Sequence, residues 1–322
     1  MRVEIQSLQS GQQVDEDYLL RDVKTGTTKR GTPFIRCQLC DKSGSVVAVF
    51  WNWDGREIPS GVVRVRGRVD EYQGVPQIVI ESIAARESTS DESFIKTTRY
   101  SVEGMWNEIL SAIYDMENHH IRAVAYHLFV EGGYAQAFKT SPAATTMHHA
   151  FQGGLLEHTH QMVEVARKLF ELPFLSTVLN KDLCLFGIIF HDFGKIFEYE
   201  HGGTFQPTVQ GKLVPHIPMT GALIFEAANK HGVPEIVRDH MMHVVLAHHG
   251  CMEYGSPVDM AIPEAAFVHY VDNMHGDIFG WKQATSQAVG DTVRHGGRQL
   301  LVRSFNEVLE GLQPVSLMED FE

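Results

Sequence analysis

The chain has 322 residues, 43% of them hydrophobic and 21% charged, enough for about two domains of ordinary size and far from the composition of a disordered chain. No run of about 18 apolar residues occurs, and Met1-Arg2-Val3-Glu4-Ile5 lacks an apolar secretory stretch, so a membrane-spanning or exported protein is not expected and a cytoplasmic location is. Four cysteines suit a reducing compartment; Cys37-x-x-Cys40 has no second Cys or His pair at zinc-finger spacing and reads as two thiols on a strand.

Charge and histidine are unevenly spread. Residues 1–90 hold 12 basic and 12 acidic side chains, so the whole net charge of −13 falls on the rest of the chain. All 18 histidines lie between His119 and His295. Histidine is the commonest metal ligand, and its segregation predicts two domains with different chemistry.

Period-two alternation predicts short strands over Phe34 to Leu39, Ser45 to Trp51, Val62 to Val69 and Gln77 to Ile83. Lys42-Ser43-Gly44 and Gln73-Gly74 mark tight turns. A strand count of about five suits a small closed barrel of the oligonucleotide-binding type better than a sandwich. Arg64, Arg66 and Arg68 alternate with valines, so they line one outer face if the valines face the core. Lys24, Lys29, Arg30 and Arg36 could extend that surface, and Phe50, Trp51, Trp53 and Tyr72 could offer rings for base stacking. The alternative is a solvated arginine face and aromatics that fill the barrel. Without net charge, such a domain would bind nucleic acid weakly alone, acting as a guide for the strand.

Residues 84–99 are polar, which places a linker at 87–100 between a barrel domain at 1–86 and a second domain at 101–315, with an acidic tail at 316–322. Beyond the linker the period becomes helical. Ser101 can cap a helix through Met105, Ile109, Ala112 and Met116; further helices are predicted over Ile121 to Val130, Gly154 to Phe170, Lys181 to Phe190, Thr220 to Lys230, Pro234 to His249, Pro263 to Met274 and Gly297 to Leu312. The expected fold class is two-domain α+β, an all-β barrel followed by an all-α helical bundle.

The bundle carries polar groups where a plain core would not. His158 falls on the inward stripe of Leu155, Thr159, Met162, Val163, Ala166 and Leu169, either as a hydrogen-bonded core histidine or as a ligand. Residues 183–190 are apolar on every side and end in His191-Asp192; a carboxylate there must be paired or coordinated. Gly194 would let the chain turn, with Lys195 either near the same spot or at the surface. An apolar helix ends at His248-His249 with Gly250 as its cap, Asp272 sits among Phe267, Val268, Tyr270 and Val271, and His216 stands at the entry to another helix. Imidazole nitrogens and carboxylate oxygens without thiolate suit manganese, iron, cobalt, nickel, zinc or magnesium in a catalytic centre.

His158, then His191-Asp192, then Asp272 resembles the motif of the HD superfamily of metal-dependent phosphohydrolases, with Gly194-Lys195 completing His-Asp-x-Gly-Lys. The resemblance implies one or two divalent ions, foremost Mn2+: a first bound by His158, His191, Asp192 and Asp272, and a second bridged by Asp192 and held by His216, His248 and His249. It makes His191, Asp192 and Lys195 the catalytic set, with Lys195 stabilising the phosphate, and leaves His148 and His149 to orient a ligand or contact the leaving oxygen. The stretch from His148 to Thr159, with Leu246 to Gly250 and Gly255 to Val258, is similar to the YhaM-type 3′-to-5′ exoribonucleases, which join an oligonucleotide-binding barrel to an HD domain, over nearly the whole chain. Two positions depart: Val214-Pro215 precedes His216 where a glycine is expected, and Met274-His275 follows Asp272-Asn273 where acidic character is expected. The remaining histidines, His269 and His275 among them, are expected to be structural or exposed.

The activity this implies is metal-assisted hydrolysis of single-stranded RNA, and of DNA as a second substrate, with nucleic-acid contacts from Arg64, Arg66, Arg68, Arg36, Lys29, Arg30, Trp51 and Tyr72. Two other classes stay open: a phosphohydrolase of free nucleotides or cyclic dinucleotides, and a nucleic-acid-binding protein with a structural metal. No membrane partner is expected. The tail Met318-Glu319-Asp320-Phe321-Glu322 could dock on a neighbouring copy in a homo-oligomer or stay free.

Overall fold

A computed structural model describes residues 3–286 except 56, 73, 87–93, 145–148, 201–204 and 206, together with 292–295 and 298–301. Five strands, β1 (Gln13–Thr27), β2 (Pro33–Asp41), β3 (Gly44–Trp51), β4 (Val62–Tyr72) and β5 (Val75–Ala85), close into a barrel in the order β1-β2-β3-β5-β4. β1 pairs with both β2 and β4, and β3 meets β5 in parallel. This is the five-stranded Greek-key barrel expected from the sequence. Alternation fills it: Val63, Val65 and Val69 point inward with Tyr18, Leu39, Ala48, Trp53 and Ile78, while Arg64, Arg66 and Arg68 point outward. At Gly67 a Cβ would collide with the Val79 carbonyl, so only glycine allows β4 and β5 to cross this closely at their bulge.

β1 has no counterpart among the predicted strands. Its acidic Asp15-Glu16-Asp17 and a bulge between Arg21 and Lys24, with Asp22 at φ 49°, break the alternation, although Val14, Tyr18 and Leu20 still reach the core.

Cys37 and Cys40 are three residues apart on one strand, so they face opposite ways. Cys37 lies in the barrel core, and Cys40 joins Leu19, Val62, Phe94, Ile95 and Phe205 in a separate cluster on the barrel's exterior. Phe94 and Ile95, inside the expected linker, are thus buried, and Phe205 from the helical domain seats against the barrel under the guanidinium of Arg21, 4.9 Å from its ring.

The helical domain comprises α1 (Val102–Tyr114), α2 (His119–Tyr126), α3 (Ala135–Thr140), α4 (Gly154–Leu169), α5 (Pro173–Ser176), α6 (Lys181–Phe190), α7 (Lys195–Glu198), α8 (Val209–Leu213), α9 (His216–Lys230), α10 (Glu235–Leu246) and α11 (Pro263–Ser286). α6 is its axis: Leu183, Cys184, Phe186, Ile188, Ile189 and Phe190 are all buried. Gly187 lets α11 approach, since a Cβ there would stand 2.6 Å from a Val268 methyl. Ser101 caps α1 as expected, its Oγ accepting from the Gly104 amide at 3.1 Å, and Asn180 Oδ1 likewise accepts from the Leu183 amide at 3.0 Å at the start of α6.

Several stretches differ from expectation. α10 ends at Leu246, with Ala247 as its cap, rather than at His249 with Gly250. α9 starts at His216 rather than Thr220. α2 ends at Tyr126 and widens into a π-turn over His127–Glu131. α11 runs on to Ser286, past Met274. Residues 298–301, expected in a helix over 297–312, form strand β7 (Arg298–Leu301) paired with β6 (Thr292–His295). Two apolar-containing runs separated by two glycines in the sequence are a hairpin pattern, and it overrides the helical spacing read there. Residues 302–322, including the expected acidic tail, lie outside the described residues.

Burial pushes the Cys37 thiol up to about 12 and the Cys40 thiol up to about 11, and Cys184 is fully enclosed. A thiol reagent such as Ellman's should therefore titrate only Cys251, which is half-buried, in the native protein at pH 8, and all four thiols after unfolding. Rapid reaction of a second thiol would contradict the placement of the CxxC pair.

Candidate metal centre

Seven residues converge from five elements. His158 comes from α4, His191 and Asp192 from the end of α6, His216 from the start of α9, His248 and His249 from just beyond α10, and Asp272 from α11. His158 Nε2 lies 3.2 Å from His191 Nε2 and 3.2 Å from Asp272 Oδ1. His191 Nε2 lies 3.2 Å from Asp192 Oδ2. On the other side of the same carboxylate, Asp192 Oδ1 is 3.3 Å from His216 Nε2 and 3.8 Å from His248 Nε2, and the His248 and His249 ring centroids are 4.3 Å apart. Asp192 therefore joins two groups through its two oxygens.

The opposite edge of each imidazole fixes its tautomer. Nδ1–H of His191 donates to Ile188 O at 2.9 Å, that of His248 to Val245 O at 2.7 Å, and that of His249 to Tyr254 O at 2.9 Å. His216 donates from Nδ1 to Glu198 Oε2 at 2.6 Å. Each Nε2 is left as a lone pair turned to the centre. His216 Nε2 and His248 Nε2 are buried and make no hydrogen bond. Converging unpartnered nitrogens around two carboxylates call for a cation, and the all-nitrogen and oxygen donor set suits a divalent metal. His216, His248 and His249 have ligand atoms close enough to share one ion, as do His158, His191 and Asp192.

Most of these groups are held in the state a metal ligand needs; His191 is the exception, raised by the neighbouring Asp192 against its burial. Burial alone would raise the Asp192 carboxyl, but Lys195 Nζ at 2.7 Å, His191 and His216 hold it well below the carboxylate range. Asp272 is likewise held down by His158 and His191 against burial. Burial and neighbouring imidazoles push His248 well below its ordinary value and lower His249 too, keeping both neutral. Lys195 is kept protonated by Asp192 despite burial, and it sits on the carboxylate rather than at the surface.

The glycine of His-Asp-x-Gly-Lys serves close approach, not the turn expected of it. Gly194 has ordinary αR angles (φ −63°, ψ −12°), and a Cβ on it would stand 2.8 Å from His216 Cα and run into the His216 carbonyl. Its amide donates to Thr220 Oγ1 at 2.8 Å, and that hydroxyl donates to His216 O at 2.8 Å, so the motif seats the start of α9. Gly194→Ala is expected to displace His216 and to weaken metal binding by the His216, His248 and His249 group at least about tenfold, with the His158, His191 and Asp272 side less affected, as read by two-site calorimetric titration.

Around these ligands the structure adds residues not singled out from the sequence. Glu198, three residues past Lys195, orients His216 and also accepts from its backbone amide at 3.1 Å. His275, expected to be structural or exposed and one of the two departures from the family pattern, is buried with Nδ1 3.0 Å from His158 Nδ1. His269 is structural as expected, donating to His248 O at 2.7 Å. His149 is buried at φ 58°, its Nε2 3.3 Å from Gln161 Oε1, and His148 lies outside the described residues. A separate group, His127, Glu131 and His231, lies apart, and Lys230 already neutralises Glu131 at 3.1 Å.

On the barrel, the arginine face is not a free positive stripe. Arg64 bonds Asp15 at 2.6 Å and Asp17 at 3.3 Å, Arg66 bonds Asp15 at 3.0 Å, and Arg86 bonds Asp17 at 3.1 Å, because β1 sets its acidic residues opposite those of β4. Arg68 is exposed opposite Gln13. Trp53 belongs to the core, with Phe50 edge-on to it at 5.2 Å. Trp51 is 46% exposed with Phe34 at 5.3 Å, and Tyr72 is 63% exposed. Arg36 and Lys24 are exposed cross-strand neighbours, and Lys29 and Arg30 are exposed in the β1–β2 turn.

A closed five-stranded barrel joined to a helical domain that gathers histidines and aspartates round one carboxylate defines an HD-type phosphohydrolase with an oligonucleotide-binding module. Residues 155–277 match the HD domain family. The chain is 35% identical over 273 residues to the 3′-5′ exoribonuclease YhaM of Geobacillus sp. (strain WCH70), covering 82% of each chain, and 33% identical over 271 residues to that of Bacillus pumilus, covering 82% of this chain and 85% of the relative. The chain belongs to the YhaM family of 3′-5′ exoribonucleases. Among solved structures, the second OB-fold domain of replication protein A from Methanococcus maripaludis aligns with 28% of this chain and 98% of its own at 22% identity and a TM-score of 0.23. Among the described residues no helix is long and apolar enough to cross a membrane.

Proposed function

We propose that the protein is a metal-dependent 3′-5′ exoribonuclease that shortens single-stranded RNA, with DNA as a second substrate, and that the barrel guides the strand to the helical domain. The observation that carries this reading is the convergence of His158, His191, His216, His248 and His249 on the carboxylates of Asp192 and Asp272 in a chain of this family. His158, His191, Asp192 and Asp272 would hold a first divalent ion and Asp192, His216, His248 and His249 a second, with manganese the choice that the family likeness suggests. Such ions, when bound, lower the pKa of water and neutralise phosphate charge.

The chain's own groups do the rest. Glu198 and the carbonyls of Ile188 and Val245 hold the imidazoles in their donor orientation. Lys195, held protonated on Asp192, would stabilise the charge on a non-bridging phosphate oxygen. On the barrel, Trp51 and Phe34 offer stacking surfaces, and Lys24, Lys29, Arg30 and Arg36 meet the phosphates. Arg64 and Arg66 contribute less, since their charge is shared with Asp15 and Asp17. The buried thiols fit work in a reducing cytoplasm.

A 5′-labelled single-stranded RNA incubated with the protein and Mn2+ should give a ladder of products shortened from the 3′ end; intact RNA beside hydrolysed free nucleotides would replace this reading with a nucleotide phosphohydrolase. Asp192→Ala should abolish the ladder while still shifting the RNA in a gel, and retained turnover would contradict the assignment. Trp51→Ala combined with Arg36→Ala should raise KM for RNA about tenfold or more, at roughly 1–3 kcal/mol per lost stacking contact, and leave hydrolysis of a small phosphodiester unchanged.

A further inference from the structure

His158 differs from the other four converging imidazoles in what holds its Nδ1. His191, His216, His248 and His249 donate to oxygens, which settles their tautomers outright. His158 Nδ1 instead faces another imidazole nitrogen, His275 Nδ1, at 3.0 Å. Either ring could donate, so this contact alone leaves the proton unassigned.

The assignment comes from the next contacts along. His275 Nε2 is 2.9 Å from Gln161 Oε1, and His149 Nε2 is 3.3 Å from the same oxygen. The Gln161 amide nitrogen points the other way, to Glu157 Oε1 at 3.4 Å, which holds its oxygen toward the two rings. A carboxamide oxygen only accepts. His275 therefore carries its proton on Nε2, its Nδ1 is a lone pair, and His158 must donate from Nδ1. The Nε2 of His158 is then a lone pair aimed at the space bounded by His191 and Asp272.

We propose that Gln161 and His275 are positioning residues: a relay from Glu157 through Gln161 and His275 fixes the tautomer of His158 and readies it as a ligand. The inference rests on the reading of His158 as a metal ligand. The relay is built on the two helices that supply that side of the centre. Glu157 and Gln161 are one helical turn apart on α4 beside His158, and His275 lies three residues beyond Asp272 on α11. The packing of α4 against α11 thus sets the ligands and their orientation together.

Calorimetric titration of Mn2+ into the full-length protein tests this, with the visible spectrum of the Co2+ form as a second readout. In His275→Leu the affinity of the group containing His158 should fall about 10–100-fold, as for other outer contacts to metal ligands, with a changed Co2+ spectrum, while the group of His216, His248 and His249 titrates as before. His275→Gln, whose amide can accept from His158 and donate to Gln161, should recover most of the loss. Gln161→Leu, which removes the acceptor, should be weakened like His275→Leu. Unchanged affinity in both leucine variants, or equal loss at both groups, overturns the relay. Should His275→Leu fail to fold by circular dichroism, Gln161→Leu decides alone, because Gln161 is only half-buried. A wild-type protein that binds no Mn2+ would overturn the metal reading itself, a result distinct from either outcome above.

Discussion

The geometry of the helical domain turns on one enclosed carboxylate. Asp192 offers Oδ2 to His191 and Oδ1 to His216 and His248, and its side chain is only 5% exposed. An ionised carboxylate this deep is tolerated only with positive charge at hand; removing one partner of a buried pair costs about 3–5 kcal/mol. Lys195 supplies one charge, and it does so on Oδ2. Oδ1 is left facing two buried imidazole nitrogens that make no hydrogen bond, one of them on His248, which burial keeps neutral. Lone pairs opposed to a carboxylate repel. A divalent cation bound there, as proposed, would reverse the sign of those contacts.

Helix ends do much of the positioning. The last carbonyls of a helix lack intrahelical partners. Here two of them are used: Ile188 O near the end of α6 accepts from His191, and Val245 O near the end of α10 accepts from His248. One hydrogen bond satisfies a helix terminus and selects the imidazole tautomer at once. The same economy holds at Gly194, where the absent side chain admits the His216 backbone and the amide bonds Thr220. Substituting any of these small contacts acts on the ligands from a distance of one residue.

The side chains that converge were legible in the sequence because each is a polar group in a setting that should be apolar. His158 lies on an inward helical stripe, His191-Asp192 closes a helix apolar all round, and the His-Asp-x-Gly-Lys spacing is specific. The surrounding layer was not legible. Glu198, Gln161 and His275 sit on half-buried or helix-end positions where a polar residue raises no question, and only the tertiary packing aims them. The barrel shows the same limit. Alternation located four strands, but the pairing of Arg64 with Asp15 joins positions 49 apart and depends on β1, whose own pattern is masked by the acidic residues that make those pairs. The hairpin of β6 and β7 was lost because an apolar spacing compatible with a helix was weighed above two adjacent glycines.

That neutralised face bears on how a strand is handled. With Arg64 and Arg66 tied to Asp15, the exposed cations left among the described residues of the barrel include Lys24, Lys29, Arg30, Arg36, Lys42 and Arg68, and the rest of the chain carries the net charge of −13. Each phosphate neutralised adds roughly 0.7 to the salt slope of single-strand binding, so a short set of cations makes for a shallow slope and a modest hold. Stacking on Trp51 and Phe34 is tolerant of base identity. An enzyme that removes nucleotides one after another must let the strand advance after each cleavage, and a uniform positive stripe would oppose that movement at every step. A barrel whose arginines are largely occupied by its own aspartates would, on the proposed reading, leave the strongest attraction for phosphate to the metal-loaded helical domain, where the chain end has to arrive.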